Sequence, residues 1–368
     1  MTPLTTALLR RLSEAAGGPG NEGAVRDLIA RALHPHVDAL HIDAMGNLTA
    51  IKRGRGEGDL RVALTAHMDE VALFITEIDS NGLLHVAASG GVNARTLAGK
   101  GVLVGPEQLP GVIGWPPPHL QRHNNDESKR VPKIEDLVID IGAADKEAAA
   151  ARVKIGQQAL FATRFGFLGR DQAVAEEAPL PQKGRIKGKA FDDRLGCAAA
   201  MALLMGPALP CDLHAIFTVQ EEVGVRGALA AAEMLAVDLL LVLEGTVCDD
   251  LPGPVDEPRF PTTRLGDGPA LTQRDGSYVV QAAVLQHLLR TAAAHGIPYQ
   301  FKHPNAGGTD ASGFGRYRAT PTGILSTPCR YIHGPVAVAE LGDFHALIQL
   351  LRAVLADEAA LARLVGRS

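Results

Sequence analysis

Three stretches of this chain are near-continuous apolar runs of strand length, Leu60–His67 (LRVALTAH), Leu213–Val219 (LHAIFTV) and Asp238–Glu244 (DLLLVLE), and Thr320–Pro328 (TPTGILSTP) reads as a further strand. A strand open to water on one face alternates apolar with polar residues; one covered on both faces does not. Such runs need helices above and below them. Ala-rich or amphipathic stretches at Phe191–Met205, Gly227–Leu235, Gly276–Gly296 and Glu340–Val365 alternate with the runs and supply that cover. Helices at Thr6–Gly17 and Glu22–Leu33, then a hairpin turning near Gly46-Asn47, lead into the first run. The pattern predicts an α/β fold: a mixed, mostly parallel sheet flanked by helices.

From Val71 to about Lys183 the character changes. VALFITEID, GLLHVAAS, GVLVG, LPGVIGW, LVIDIG and QALFAT are short strand-like runs cut by Gly, Pro and Asn. The polar HNNDESKRVPK, His123–Lys133, is expected as an exposed loop. The segment reads as a small all-β module, residues 72–182, inserted into an α/β domain made of residues 1–71 and 183–368.

With 46% apolar residues, 368 residues can bury a sizeable core. A net charge of −5 and scattered basic residues give no reason to expect nucleic acid or an anionic membrane as partner. No run approaches the ~20 apolar residues of a membrane span. The start, MTPLTTALLRRLSEAAGG, reads as an amphipathic helix rather than a signal peptide. Cys197, Cys211, Cys248 and Cys329 form no CxxC pair and are expected as reduced, buried thiols, which suits a cytoplasmic protein.

Function in open α/β sheets gathers at the carboxyl ends of the strands. There this chain places His67-Met68-Asp69-Glu70, Glu221-Glu222, Glu244 and His333, while Asp192-Asp193 opens a helix. Singly, each has a bland reading. A glutamate pair suits a solvated helix start, an aspartate pair a helix cap, and a lone histidine a satisfied core residue. Together, in apolar surroundings, they are costly unless positive charge neutralises them. Two divalent cations would do so. Imidazole nitrogen and carboxylate oxygen without thiolate match hydrolytic zinc, cobalt or manganese sites. Dinuclear hydrolases also need one carboxylate that reaches both ions.

HMDEV (His67–Val71), KAFDDRLGC (Lys189–Cys197), VQEEVGVRGA (Val219–Ala228), GGTDA (Gly307–Ala311) and PCRYIHGPV (Pro328–Val336) occur in this order. The set resembles the M42 family of metallo-aminopeptidases, which includes the glutamyl, deblocking and tetrahedral aminopeptidases. The resemblance covers nearly the whole chain, with GGPGNEGAVRDLI near the start and LGDGPAL in the middle. It implies a zinc-exopeptidase-like α/β domain with a PDZ-like or β-barrel insertion for oligomerisation or substrate access. It also implies two divalent ions per chain, zinc or cobalt, short peptide substrates, and a homo-oligomer anywhere from dimer to dodecamer.

By the same resemblance Asp192 bridges the ions, His67 and Glu244 complete one site, and Glu222 and His333 complete the other. Glu221 is the general base and Asp69 orients His67. Gly308, Thr309 and Asp310 line the substrate site, and the Asp192–Asp193 peptide bond is cis. Arg226 and Arg330 are expected to be structural, and His119 to pack. One residue departs from the pattern. The family usually has Asp where this chain has Glu244, one methylene longer. That keeps open an amidase, deacylase or carboxypeptidase-like hydrolase of a specialised small amide. An inactive assembly subunit is a third reading, opposed by the complete ligand set with Glu221.

Overall fold

In a computed structural model of the chain, residues 4–56, 59–116, 131–169, 175–252, 261–303, 307–317 and 319–366 are described. His119 and most of the expected loop at 123–133 lie outside them. Helix α1 (Thr6–Glu14) starts where the Thr5 hydroxyl accepts the Leu8 N–H, and α2 (Gly23–Leu33) follows. Strands β1 (Ala39–Ile42) and β2 (Leu48–Lys52) form an antiparallel hairpin. Its turn closes on Asp43, whose carboxylate accepts the N–H groups of Met45, Gly46 and Asn47. Strand β3 (Arg61–His67) is buried from its second residue onward.

The chain then leaves the sheet for β4 (Ala72–Ile78), β5 (Leu84–Ser89), β6 (Gly101–Val104), β7 (Leu109–Gly114), β8 (Val138–Asp140), the short α3 (Lys146–Arg152) and β9 (Gln158–Phe161). These six strands close into a barrel in the order β4-β5-β8-β7-β6-β9. Closure removes the unpaired edges that an open sheet would expose. The barrel has its own core, built from Leu73, Ile75, Val86, Val102, Ile113, Ile139 and Phe161 among others.

Strands β10 (Gly166–Phe167) and β11 (Arg185–Gly188) lead back to α4 (Phe191–Leu204), β12 (Asp212–Thr218), α5 (Arg226–Met234) and β13 (Leu239–Cys248). Next come β14 (Ala270–Leu271), α6 (Ala282–His295), β15 (Gln300–Phe301), α7 (Asp310–Gly315), β16 (Thr322–Arg330), β17 (Ala337–Glu340), α8 (Leu341–Ala356) and α9 (Glu358–Leu364). The large sheet runs β1-β2-β12-β3-β13-β16-β17-β11-β10, with β14 and β15 joined through β16. It is mixed. The β12/β3, β3/β13 and β13/β16 pairs are parallel, and the flanking pairs along that path are antiparallel. The central strands are the apolar runs, covered on both faces. Helix α4 packs between β3 and β13 on one side and α8 on the other, and it is buried almost all round, so it carries no polar stripe.

Two helices are shorter than the hydrophobic pattern suggests. Gly276–Gln281 is not helical, because the Asp275 carboxylate accepts the Ser277 and Tyr278 N–H groups and folds a turn there. The last helical stretch breaks at Asp357, whose side chain caps α9 by accepting the Ala360 N–H. All four cysteines are buried and free. Among the described residues no helix is long and apolar enough to cross a membrane.

Candidate active site

The carboxyl ends of the central strands converge on one cluster. His67 is the last residue of β3, and its Nε2 lies 3.0 Å from Asp192 Oδ1 and 3.1 Å from Glu244 Oε1 on β13. The other Asp192 oxygen, Oδ2, lies 3.3 Å from Nε2 of His333, which follows β16 and is 3.4 Å from Glu222 Oε1. Asp192 thus stands between two imidazoles with one oxygen toward each. A Cβ on Gly245 would meet the Asp192 Cα and Cβ at 2.8 Å, so only glycine lets β13 come this close. The Asp192–Asp193 peptide bond is cis. Asp193 is occupied elsewhere, its carboxylate accepting the His67 N–H at 3.2 Å and the Gly196 N–H at 3.0 Å.

The glutamate pair is held from below. Asp69 Oδ1 accepts the Glu221 N–H and Oδ2 the Glu222 N–H, each at 3.0 Å. Glu22 Oε1 accepts the N–H of Gln220, which has a φ of 54°. The expected contact between Asp69 and His67 is present with a different weighting. His67 Nδ1 lies 3.1 Å from the Asp69 main-chain oxygen and 3.5 Å from its carboxylate. From the barrel side, Gly91 after β5 approaches so near that a Cβ there would sit 2.8 Å from His333 Nδ1.

Crowded carboxylates in a dry place hold protons tightly. Burial, followed by neighbouring acids, pushes Glu221 and Glu244 well above the ordinary carboxylate range. Burial pushes Glu222 up to about 7. It works against His333, yet hydrogen bonding to Asp192 and the charge of Glu222 carry that imidazole up to about 9. His67 is raised in the same way by Asp192, Asp69 and Glu244 against its burial. Asp192 is also desolvated, but the two imidazoles outweigh that and hold it far below its usual value. Glu244 Oε2 is buried with no hydrogen-bond partner among the described residues. Donor atoms of His67, Asp192 and Glu222 lie within 4.8 Å of one another, as do those of His67, Asp193 and Glu244. In the second group the Asp193 oxygens already accept backbone N–H groups, which leaves Asp192 as the aspartate free to bind.

Asp192, Glu221, Glu222 and Glu244 line a cavity of about 520 Å³, which Gly308 and Thr309 also line. Asp310 is not on that lining. It is 2% exposed, and its Oδ2 accepts the hydroxyls of Thr65 at 3.0 Å and Thr218 at 2.6 Å, tying α7 to β3 and β12. The Thr309 hydroxyl caps α7 by accepting the Ala311 N–H. Arg330 forks onto Asp250 at 2.5 and 2.8 Å, and Arg226 reaches Gln220 Oε1 at 3.4 Å.

Behind the cluster lies an ion group that the sequence reading did not single out. Lys189 Nζ donates to Glu70, and Arg194 Nη2 lies 3.4 Å from Glu70 Oε1. Arg194 is fully buried and donates to the carbonyls of Met68, Leu12 and Ala15. All three charged residues sit inside motifs quoted above. Their pairing needs the fold.

The sequence profile of the M42 glutamyl aminopeptidase family matches residues 46–350. The chain belongs to the M42 family of aminopeptidases. The putative aminopeptidase FrvX of Escherichia coli (strain K12) is 33% identical over 358 residues, covering 95% of this chain and 94% of FrvX. A TET aminopeptidase from the marine sediment archaeon Thaumarchaeota archaeon SCGC AB-539-E09 has a similar structure. Its TM-score is 0.86 at 30% identity, over 97% of this chain and 98% of that one. The Pyrococcus horikoshii TET1 peptidase, described as assembling into a tetrahedron or a large octahedral shell, matches with a TM-score of 0.80 at 32% identity. That match covers 95% of this chain and 98% of TET1. The M42 relatives therefore share the whole architecture, barrel included, and not the site alone.

Proposed function

We propose that this M42 chain is a metal-dependent aminopeptidase that removes N-terminal residues from short peptides. The observation that carries the reading is Asp192, with one oxygen toward His67 and the other toward His333. Donors that share an ion ~2.0–2.2 Å away lie ~3.3–3.6 Å from one another in tetrahedral geometry. The N···O separations of 3.0 to 3.4 Å come close to that spacing. The unpartnered Glu244 oxygen and the all-N/O donor set fit the same group. Glu244 also reaches His67 despite its extra methylene, so the added length does not take it out of the cluster.

In this reading His67, Glu244 and Asp192 would hold one divalent ion, and Asp192, Glu222 and His333 would hold the other, with zinc or cobalt suiting each. When bound, the ions supply Lewis acidity to a water and to the scissile carbonyl. The remaining work falls to side chains. Glu221 lines the cavity and is made proton-hungry by burial and its acidic neighbours. It takes a proton from the attacking water and delivers it to the leaving amine. Asp69 holds the Glu221 and Glu222 N–H groups, so base and ligand keep their spacing. The assemblies of the TET relatives favour a homo-oligomer here too.

Glu221→Gln tests the base. The turnover number should fall by about 10²–10⁴-fold, with the metal content by elemental analysis unchanged. Full turnover would remove Glu221 from that role. Aminoacyl-anilides compared with their N-acetylated forms test the substrate end. Cleavage of the blocked forms alone would replace the aminopeptidase by an amidase or deacylase.

A further inference from the structure

Away from the reaction centre, a cavity of about 640 Å³ opens where α6 meets α8 and α9. It shares no lining residue with the catalytic cavity. His287, Arg290 and Thr291 stand three or four residues apart, so α6 turns one face toward it, with His295 one turn further on. Asp357 and Arg363 come from the cap and the end of α9. Both arginines are exposed, and among the described residues neither guanidinium has a carboxylate within 4.0 Å. Asp357 is engaged with its own helix, where it accepts the Ala360 N–H.

The buried member is His287, which is 5% exposed. A neutral imidazole has one nitrogen that donates and one that accepts. The ring hydrogen-bonds to the Val354 main chain of α8. Its Nε2 is buried with no hydrogen-bond partner among the described residues. The main-chain bond therefore uses the Nδ1 N–H and leaves Nε2 as a bare acceptor. Burial, then the charge of Arg290, holds the ring's proton affinity below its ordinary value. Asp357 and the Val354 bond oppose this, and Arg363 adds to it. The ring is accordingly neutral at neutral pH, with both guanidiniums near enough for their charge to act on it.

The missing partners define a ligand. Two guanidiniums call for anionic oxygens, which a planar fork grips well. A buried Nε2 lone pair calls for a donor. Carboxylate and sulfate are all acceptor at neutral pH and would set a lone pair against Nε2. A phosphate that keeps a proton offers anionic oxygens and an O–H together. We propose that this cavity is a binding site for hydrogen phosphate, with Arg290 and Arg363 on its charged oxygens and its P–OH donating to His287 Nε2.

Calorimetric titration of the metal-loaded full chain with inorganic phosphate and with sulfate tests this at about pH 8, where imidazole is neutral. Phosphate should bind about 10–100-fold more tightly, the range for leaving one buried acceptor unpaired. Phosphate can also bind at metal ions, so Arg290→Gln and Arg363→Gln locate the site. Each should weaken phosphate binding by about tenfold or more, with turnover of aminoacyl-anilides unchanged. His287→Leu should bring phosphate and sulfate to parity. If that variant fails to fold, the wild-type preference and the arginine variants still decide. Methyl phosphate, a dianion without a P–OH at this pH, should bind as weakly as sulfate. Equal affinity for phosphate and sulfate, tighter binding of methyl phosphate, or phosphate binding untouched by both arginine substitutions overturns the site. So does the absence of any binding at millimolar phosphate.

Discussion

Asp69 and Glu70 are adjacent in the chain and belong to two buried clusters of opposite design. Glu70 faces an ammonium and a guanidinium, and the other Arg194 donors end on backbone carbonyls. Burial pulls Lys189 below its ordinary value and Glu70 opposes that pull. This cluster is complete within itself. Asp69 belongs to the other, where Asp192, Glu221, Glu222 and Glu244 crowd around the imidazoles of His67 and His333. There burial raises the affinity for protons of Glu221, Glu222 and Glu244, and one Glu244 oxygen has no partner. Withdrawing charge from water thus has two outcomes. A cluster neutralised by its own side chains fixes geometry; one left short of positive charge holds a place for something to bind.

The sharpest way to break this contrast is to withdraw divalent ions. Chelation should leave the Glu70 cluster untouched and disable the other. The proposed loss is about four orders of magnitude in rate, roughly 5.5 kcal/mol, recovered when ions are restored. An unchanged rate in protein shown to be metal-free would mean that the second cluster is also complete within itself. Glu70→Gln probes the opposite member. Removing one partner of a buried ion group strands the others, at about 3–5 kcal/mol of stability. The denaturation midpoint should fall, while kcat per folded molecule changes much less. A variant as stable as wild type with a collapsed kcat would make Glu70 part of the reaction centre.

The two clusters were not equally legible in the sequence. The reaction centre could be read because its residues stand at the ends of apolar runs, where a carboxylate or imidazole is out of place. His67 closes LRVALTAH, and Glu244 closes DLLLVLE. The parallel centre of the sheet was legible for the same reason, since double-sided burial removes polar alternation. Lys189 and Arg194 flank Asp192-Asp193 and look like ordinary solvated charges, because long-range pairing with Glu70 leaves no local pattern. Asp310 shows a further limit. In GGTDA it reads evenly as a substrate contact or a structural residue, and the bonds from the Thr65 and Thr218 hydroxyls that hold it at the start of α7 need the fold. The late start of α6 after Asp275 and the break at Asp357 were hidden because hydrophobic periodicity continues where an aspartate side chain captures the backbone.

Asp69→Asn carries the smallest expected effect and discriminates most finely between the clusters' designs. By resemblance Asp69 orients His67. The geometry gives its two oxygens to the Glu221 and Glu222 N–H groups and leaves the nearer His67 contact to its main-chain oxygen. Asparagine keeps one acceptor and turns the other into a donor, which opposes an N–H instead of accepting it. The disturbance should therefore fall first on the Glu221–Glu222 backbone. The proposed outcome is a loss of about 10–100-fold in affinity, the range for residues that orient ligands, at the Glu222/His333 position, with a parallel fall in kcat. The His67/Glu244 position should hold its ion nearly as well as before, since the main-chain contact to Nδ1 survives the substitution. Stepwise metal titration of the variant reads the two positions separately. A weakened His67/Glu244 position with an intact Glu222/His333 one would return Asp69 to the role of histidine orienter and show that its distance of 3.5 Å understates that contact.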